Sequence, residues 1–201
     1  LGLILVDREH GYETSDIEKM GLNSQSTAIV SFQDVRVPAG NLMVEPGKAM
    51  KALLTLLASS RPIVGLMALA IAEAALEEAV QYSQDRVQFG TPIAGHQLIC
   101  AKLGEMATKV QAGKLMSYRA LSAIDNGERS DVHSAMAKWF GTDLACEVVA
   151  EAMQIHGGNG ITTEFPIEYM YRSVRPFMVT EGTTEIQKLA IGRSLTGIDA
   201  F

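Results

Sequence analysis

Between Gly47 and Ile155 the chain carries an apolar pattern of helical period that breaks only where Gly, Pro and Asn cluster. That run constrains the fold more than any other feature. It predicts one helix from about Lys48 to Arg86, with Pro62 disturbing its ladder, and an exit at Phe89-Gly90-Thr91-Pro92. A second helix is expected from Gly95 to Ile124, with Ile99, Leu103, Met106 and Val110 on one face, stopping at Asp125-Asn126-Gly127. A third runs from Asp131 to Ile155 and shows Cys146, Val149 and Met153 together before Gly157-Gly158 ends it. Two shorter helices are expected near Pro166–Tyr171 and Thr183–Leu195. Three long apolar-striped helices with tight connections pack most naturally as an antiparallel bundle.

The first forty residues read differently. Leu3–Val6 is a short apolar run, Gly11–Gly21 is polar, and Thr27–Phe32 has the β-branched character of a strand. Asp34–Val37 alternates polar and apolar before Pro38 and Gly40. The expected organisation is therefore mainly α: residues 1–45 are the end of a β domain and residues 46–201 a helical bundle domain. Because the chain opens on Leu1 and enters an apolar run at once, earlier sequence, and any targeting signal in it, is expected to lie outside these 201 residues.

Composition narrows the function. Hydrophobic residues make up 47% and charged residues 20%, enough for a large buried core, and ten Met with an aromatic share of only 6% suit packed helices. With 17 basic residues scattered against 23 acidic ones, the charge of −6 argues against a nucleic-acid surface. The longest uncharged apolar stretch, Pro62–Ala72, is too short to cross a bilayer, so no membrane span is expected. Cys100 and Cys146 sit far apart in apolar helical patterns and read as small core residues in a reducing compartment. No Glu-x-x-His spacing supports a bundle metal site, and none is expected. A dinucleotide fingerprint at Gly158-Asn159-Gly160 fails because Thr163 replaces the third glycine and the motif follows a helix.

Three stretches can carry chemistry, and each has a plainer alternative. In Arg86-Val87-Gln88-Phe89-Gly90-Thr91-Pro92-Ile93, followed by His96-Gln97, the Arg either complements a helix dipole or suits a diphosphate beside exposed amides. In Gln154-Ile155-His156-Gly157-Gly158-Asn159-Gly160, the glycines either stop a helix or let another chain or a cofactor approach the backbone. In Thr180-Glu181-Gly182-Thr183-Thr184-Glu185, Glu181 either offsets a helix dipole or, with Gly182 leaving room for a flat group, abstracts a proton.

The ordered set Arg-x-x-Phe-Gly, Gln-x-x-Gly-Gly-x-Gly and Glu-Gly-Thr resembles the C-terminal half of the acyl-CoA dehydrogenase family. Phe32-Gln33-Asp34-Val35-Arg36-Val37-Pro38 looks like that family's exit from its middle β domain, and Thr163–Glu168 with Arg172 like the stretch before its catalytic loop. The resemblance implies a C-terminal four-helix-type bundle that builds a dimer or tetramer around FAD. It implies that Arg86, Gln88, Phe89, His96, Gln97, Gln154, Gly157 and Gly158 contact FAD, mostly a neighbouring subunit's, with Thr183 and Glu185 near the flavin of the same subunit. Glu181 matches the catalytic glutamate, Gly182 a position touching the thioester, and Arg61 one on the substrate side of the long helix. Some branches place the base just before that Arg, where this chain has Ser60. Ala58, Gln88 and Thr180 depart from frequent Asp, Thr and Tyr, so chain length does not carry over.

The implied reaction is α,β-desaturation of an acyl-CoA thioester, with an electron-transfer flavoprotein as redox partner and a prokaryotic cytoplasmic or mitochondrial matrix location. Two alternatives stand beside it: an enoyl-CoA reductase, and a non-catalytic oligomerisation module. The 201-residue chain by itself is expected to be inactive.

Overall fold

The computed structural model describes residues 1–199, which form two compact units, Leu1–Leu57 and a second from Ala58 onward. In the first, four short strands pair as two antiparallel ribbons. β1 (Leu3–Ile4) pairs with β4 (Leu42–Val44), and β2 (Glu13–Asp16) pairs with β3 (Ala28–Ser31) from Glu13 opposite Ser31 to Asp16 opposite Ala28. The rings of Tyr12 and Phe32 meet at 5.6 Å beside this second ribbon. Two details differ from the sequence reading. The polar segment after Gly11 supplies β2, and Asp34–Val37 is not a strand. Asp34 takes a left-handed φ of 50°, which short polar side chains tolerate, and that ends the extended run.

The second unit is helical. It comprises α1 (Ala49–Asp85, entered at Ala58), α2 (Gln97–Asp125), α3 (Asp131–His156), α4 (Ile167–Val174) and α5 (Thr184–Thr196). Between α1 and α2 lies a tight hairpin, β5 (Val87–Gln88) with β6 (Thr91–Pro92). Phe89 and Gly90 at its tip both have positive φ, the geometry that two-residue hairpin turns require. α3 is the central helix and packs against α2, α4 and α5. Its burial shows this: Ala135, Ala137, Thr142, Ala145, Val148 and Ala152 are all fully inaccessible.

Close helix approach depends on small residues. A Cβ at Gly65 of α1 would stand 2.8 Å from the Ala137 carbonyl oxygen of α3. One at Gly113 of α2 would stand 2.8 Å from both methyls of Leu69, which also lies against Gly141. Lys114 pairs with Glu73 at 2.5 Å between α2 and α1, and Lys109 of α2 bridges Glu105 at 2.6 Å and Glu147 of α3 at 2.9 Å.

By length and composition α1 could cross a membrane, since one 18-residue window reaches a mean hydropathy of 1.7. The run Pro62–Ala72 understates it. Ala68, Leu69, Ala72, Ala75 and Ala79 of this helix are nevertheless fully buried within the chain, so that face is occupied by helix packing. Cys100 is also corrected: it is exposed on α2 and not a core residue. Cys146 is half-buried, with its thiol pushed up to about 11 by burial.

Candidate active site

Glu181 sits in a tight loop between the 3-10 turn Arg175–Met178 and α5. Thr183 is the N-cap of α5: its backbone is extended and its hydroxyl accepts from the Ile186 N–H. To reach that cap from the preceding turn the chain reverses through two left-handed residues, Glu181 at φ 56° and Gly182 at φ 101°. Glycine adopts this conformation freely, whereas a glutamate does so at a cost that its surroundings must offset.

Three helices supply the offset through side-chain donors to loop carbonyls. From α1, Arg61 Nε donates to the Glu181 carbonyl at 3.2 Å. From α5, Gln187 Nε2 donates to the carbonyls of Glu181 and Gly182 at 3.3 and 3.0 Å. From α3, Lys138 Nζ donates to the carbonyls of Met178 and Gly182, both at 2.8 Å. With the backbone so fixed, the half-buried Glu181 side chain turns toward α1, where Ser60 Oγ donates to Oε2. Behind the loop, Asp143 of α3 accepts from Trp139 Nε1 at 2.9 Å and from the Thr184 hydroxyl at 3.1 Å, tying α3 to the first turn of α5.

The charges around Glu181 are perturbed for identifiable reasons. Burial lowers Lys138 to about 8, opposed by the carboxylates of Asp143, Glu181 and Glu185 and reinforced by the Arg61 cation. Burial also lowers Arg61, and the Glu181 carboxylate works against that. Glu185 is held below the usual carboxylate range by its own backbone N–H and by the Thr183 hydroxyl. The site thus sets the Glu181 carboxylate beside two cations, Arg61 and Lys138, that burial desolvates.

The remaining candidates gather at another height of the bundle. Arg86, Gln88 and Phe89 follow the end of α1, His96 and Gln97 open α2, and Gln154, Gly157 and Gly158 close α3. Tyr82 connects the end of α1 to the end of α3: its ring stacks on buried His156 at 4.3 Å and its hydroxyl accepts from Asn159 Nδ2 at 3.0 Å. His156 Nδ1 donates to the Ala152 carbonyl at 2.8 Å, which fixes its ring. The ends of α2 and α3 are further joined by the Lys102–Glu151 ion pair. Phe89 is 95% exposed, an unusual position for so large an apolar ring. Gly157 and Gly158 face open space, since a Cβ at either would meet nothing within 4 Å. From Arg61 to the end of α1 is about 36 Å at the α-helical rise, so the two groups of residues are well separated.

Residues 47–196 match the model of the acyl-CoA dehydrogenase C-terminal domain. The chain belongs to the acyl-CoA dehydrogenase family. It is 39% identical over 178 residues to the 3-(aryl)acrylate reductase of Clostridium sporogenes, covering 89% of this chain and 47% of that protein. The structure of butyryl-CoA dehydrogenase from Megasphaera elsdenii superimposes with a TM-score of 0.94 at 36% identity, covering 96% of this chain and 51% of that one. A Mycobacterium smegmatis glutaryl-CoA dehydrogenase solved in complex with FADH2 matches with a TM-score of 0.89 at 27% identity, covering 95% and 50%. The chain therefore spans about half the length of the relatives it matches.

Sequence reasoning missed Lys138, Gln187 and Asp143 and set Ser60 aside. One signal was available for Lys138. It lies at helical spacing from Ala135, Thr142 and Ala145, so the apolar pattern puts it on the inner face of α3.

Proposed function

We propose that this chain is the catalytic bundle of an FAD-dependent acyl-CoA dehydrogenase in which Glu181 takes the α-proton of an acyl-CoA thioester. The observation that carries this reading is the Glu181 loop. A carboxylate with a left-handed backbone, clamped by donors from three helices, is over-determined for a helix-terminal charge but suited to a positioned base. Gly182 lets the backbone turn at φ 101° beside the base, with the direction a Cβ would take already filled by Gln187, and Arg61 holds the base's own carbonyl. FAD, when bound, would supply the acceptor for the β-hydrogen that leaves as hydride.

The residues at the far end of the bundle fit that cofactor. An exposed guanidinium at Arg86 offers planar donors to a diphosphate, the amides of Gln88, Gln97 and Gln154 offer donors and acceptors, and bare Phe89 offers a ring face. The Cβ-free surface at Gly157-Gly158 permits close approach to the backbone. The separation of about 36 Å between this group and Arg61 along α1 supports a reading in which the two patches serve different FAD molecules of a dimer or tetramer. Thr183 and Glu185, next to the base, would lie near the flavin of their own subunit. An electron-transferring flavoprotein is the proposed redox partner.

Reduction of an enoyl-CoA runs the same step in reverse, with Glu181 delivering the proton, and the reductase relative keeps this second reading open. The test is anaerobic mixing of the full-length holoprotein, wild type and Glu181→Gln, with acyl-CoA thioesters while oxidised flavin absorbance is followed. Bleaching in the wild type, slowed about 10²–10⁴-fold or more in the variant, supports the reading. Equal bleaching in both refutes it, and bleaching in neither, with dithionite-reduced flavin of the wild type reoxidised by enoyl-CoA instead, favours the reductase.

A further inference from the structure

We propose that Lys138 is a positioning residue for the base: from within the bundle its ammonium clamps the carbonyls on both sides of Glu181 and so holds that residue's left-handed backbone. The inference rests on Glu181 being the base. Lys138 is fully inaccessible, and a lysine is rarely so buried unless its charge is matched. Its match is mainly two main-chain oxygens, Met178 and Gly182, at 2.8 Å each.

The sequence positions of those acceptors define the role. Met178 ends the 3-10 turn before the loop and Gly182 ends the left-handed pair, so one cation spans the whole reversal. Helix packing alone would be better served by an apolar residue, because burying an ammonium carries a desolvation cost that neutral side chains avoid. The charge also faces Arg61 from α1, Asp143 on its own helix, and Glu181 and Glu185 from the loop and α5. Among these groups Lys138 touches the loop backbone, so its effect on the reaction passes through where the Glu181 carboxylate is held.

Charge-assisted hydrogen bonds are roughly twice as strong as neutral ones, so the clamp is tightest while Lys138 is protonated. Burial lowers this group to about 8, which places its loss of charge in an accessible range. The experiment uses the full-length holoprotein and Lys138→Met, similar in length but without donors. Flavin reduction by acyl-CoA is measured by stopped flow from pH 6.5 to 9.5, along with FAD content and substrate affinity. The expected result is a reduction rate about 10–100-fold lower, the scale of an ångström-sized displacement of a catalytic group, with FAD content and affinity close to wild type. The wild-type rate should fall as pH rises through about 8, and that limb should vanish in the variant.

A variant that reduces its flavin at the wild-type rate, or that keeps the alkaline limb, overturns the proposal. Parallel loss of FAD and substrate affinity also overturns it, since that marks a general packing role. If Lys138→Met does not fold, Lys138→Gln, which removes the charge and shortens the reach, takes its place, and a wild-type reduction rate in that variant refutes the clamp. The base assignment fails separately, through an active Glu181→Gln.

Discussion

Replacing Gly182 with Ala tests the loop geometry with a single methyl group. The residue sits at φ 101°, where an L side chain is strained by about 1–3 kcal/mol. The new Cβ would also stand 2.8 Å from Gln187 Nε2. Gln187 is fully buried and cannot swing into solvent, so the clash displaces its bonds to the carbonyls of Glu181 and Gly182. Each such bond contributes about 1 kcal/mol net, and the combined expectation is about 3–5 kcal/mol. The chain can relieve part of this by releasing the loop, which caps the global loss at the loop's own stability and moves the damage into activity. Urea unfolding followed by circular dichroism reads the first part, and turnover with acyl-CoA in the full-length holoprotein reads the second. Gly182→Ala should lose at least 1 kcal/mol of stability, at least 100-fold in turnover, or both. A variant within experimental error of wild type in both would show that neither the backbone angle nor the Gln187 contact constrains this loop.

Other substitutions probe separate parts of the account. Gly65→Ala should destabilise the bundle by about 1–3 kcal/mol through overpacking against the Ala137 carbonyl, although alanine is the better helix former by about 1 kcal/mol; thermal unfolding gives the sign. Ser60→Ala removes one hydrogen bond to the Glu181 carboxylate and should slow flavin reduction by about 3–10-fold, far less than Glu181→Gln, which stopped-flow absorbance can separate. Lys138 titrates at about 8 in the folded chain against an ordinary 10.5, so between these values the unfolded state binds more protons. Stability should therefore rise with pH across that window in the wild type relative to Lys138→Met, as urea midpoints at pH 7.5 and 10 would show. The thiol of Cys146, pushed up to about 11 by burial, should react with an alkylating reagent at pH 8 much more slowly than exposed Cys100, as peptide mass spectrometry resolves.

Much of the helical architecture was legible because period and punctuation are local. Asp125-Asn126-Gly127 and Gly157-Gly158 mark the ends of α2 and α3 within two residues, and Thr183 proved to be the N-cap one position before α5. What was illegible depends on separation in sequence. Ser60 and Glu181 lie 121 residues apart and Lys138 and Gly182 lie 44 apart, so no local pattern relates them. The inward placement of Lys138 could be read from its helical spacing, but its acceptors are main-chain oxygens, and these have no identity in sequence. The part that helix glycines play is equally non-local, since Leu69 of α1 lies against Gly113 of α2 and Gly141 of α3. Asp34–Val37 misled in the other direction, because alternation alone cannot reveal a left-handed residue at its start.

Isotope exchange tests removal of the α-proton by the Glu181 carboxylate apart from hydride transfer. The full-length holoprotein and Glu181→Gln would each be incubated with an acyl-CoA in deuterium oxide under anaerobic conditions, and deuterium at C2 of the recovered thioester measured by mass spectrometry. Incorporation is expected with the wild type, and a rate lower by about 10²-fold or more with the variant. Equal incorporation by both proteins would contradict this and assign the base to another group.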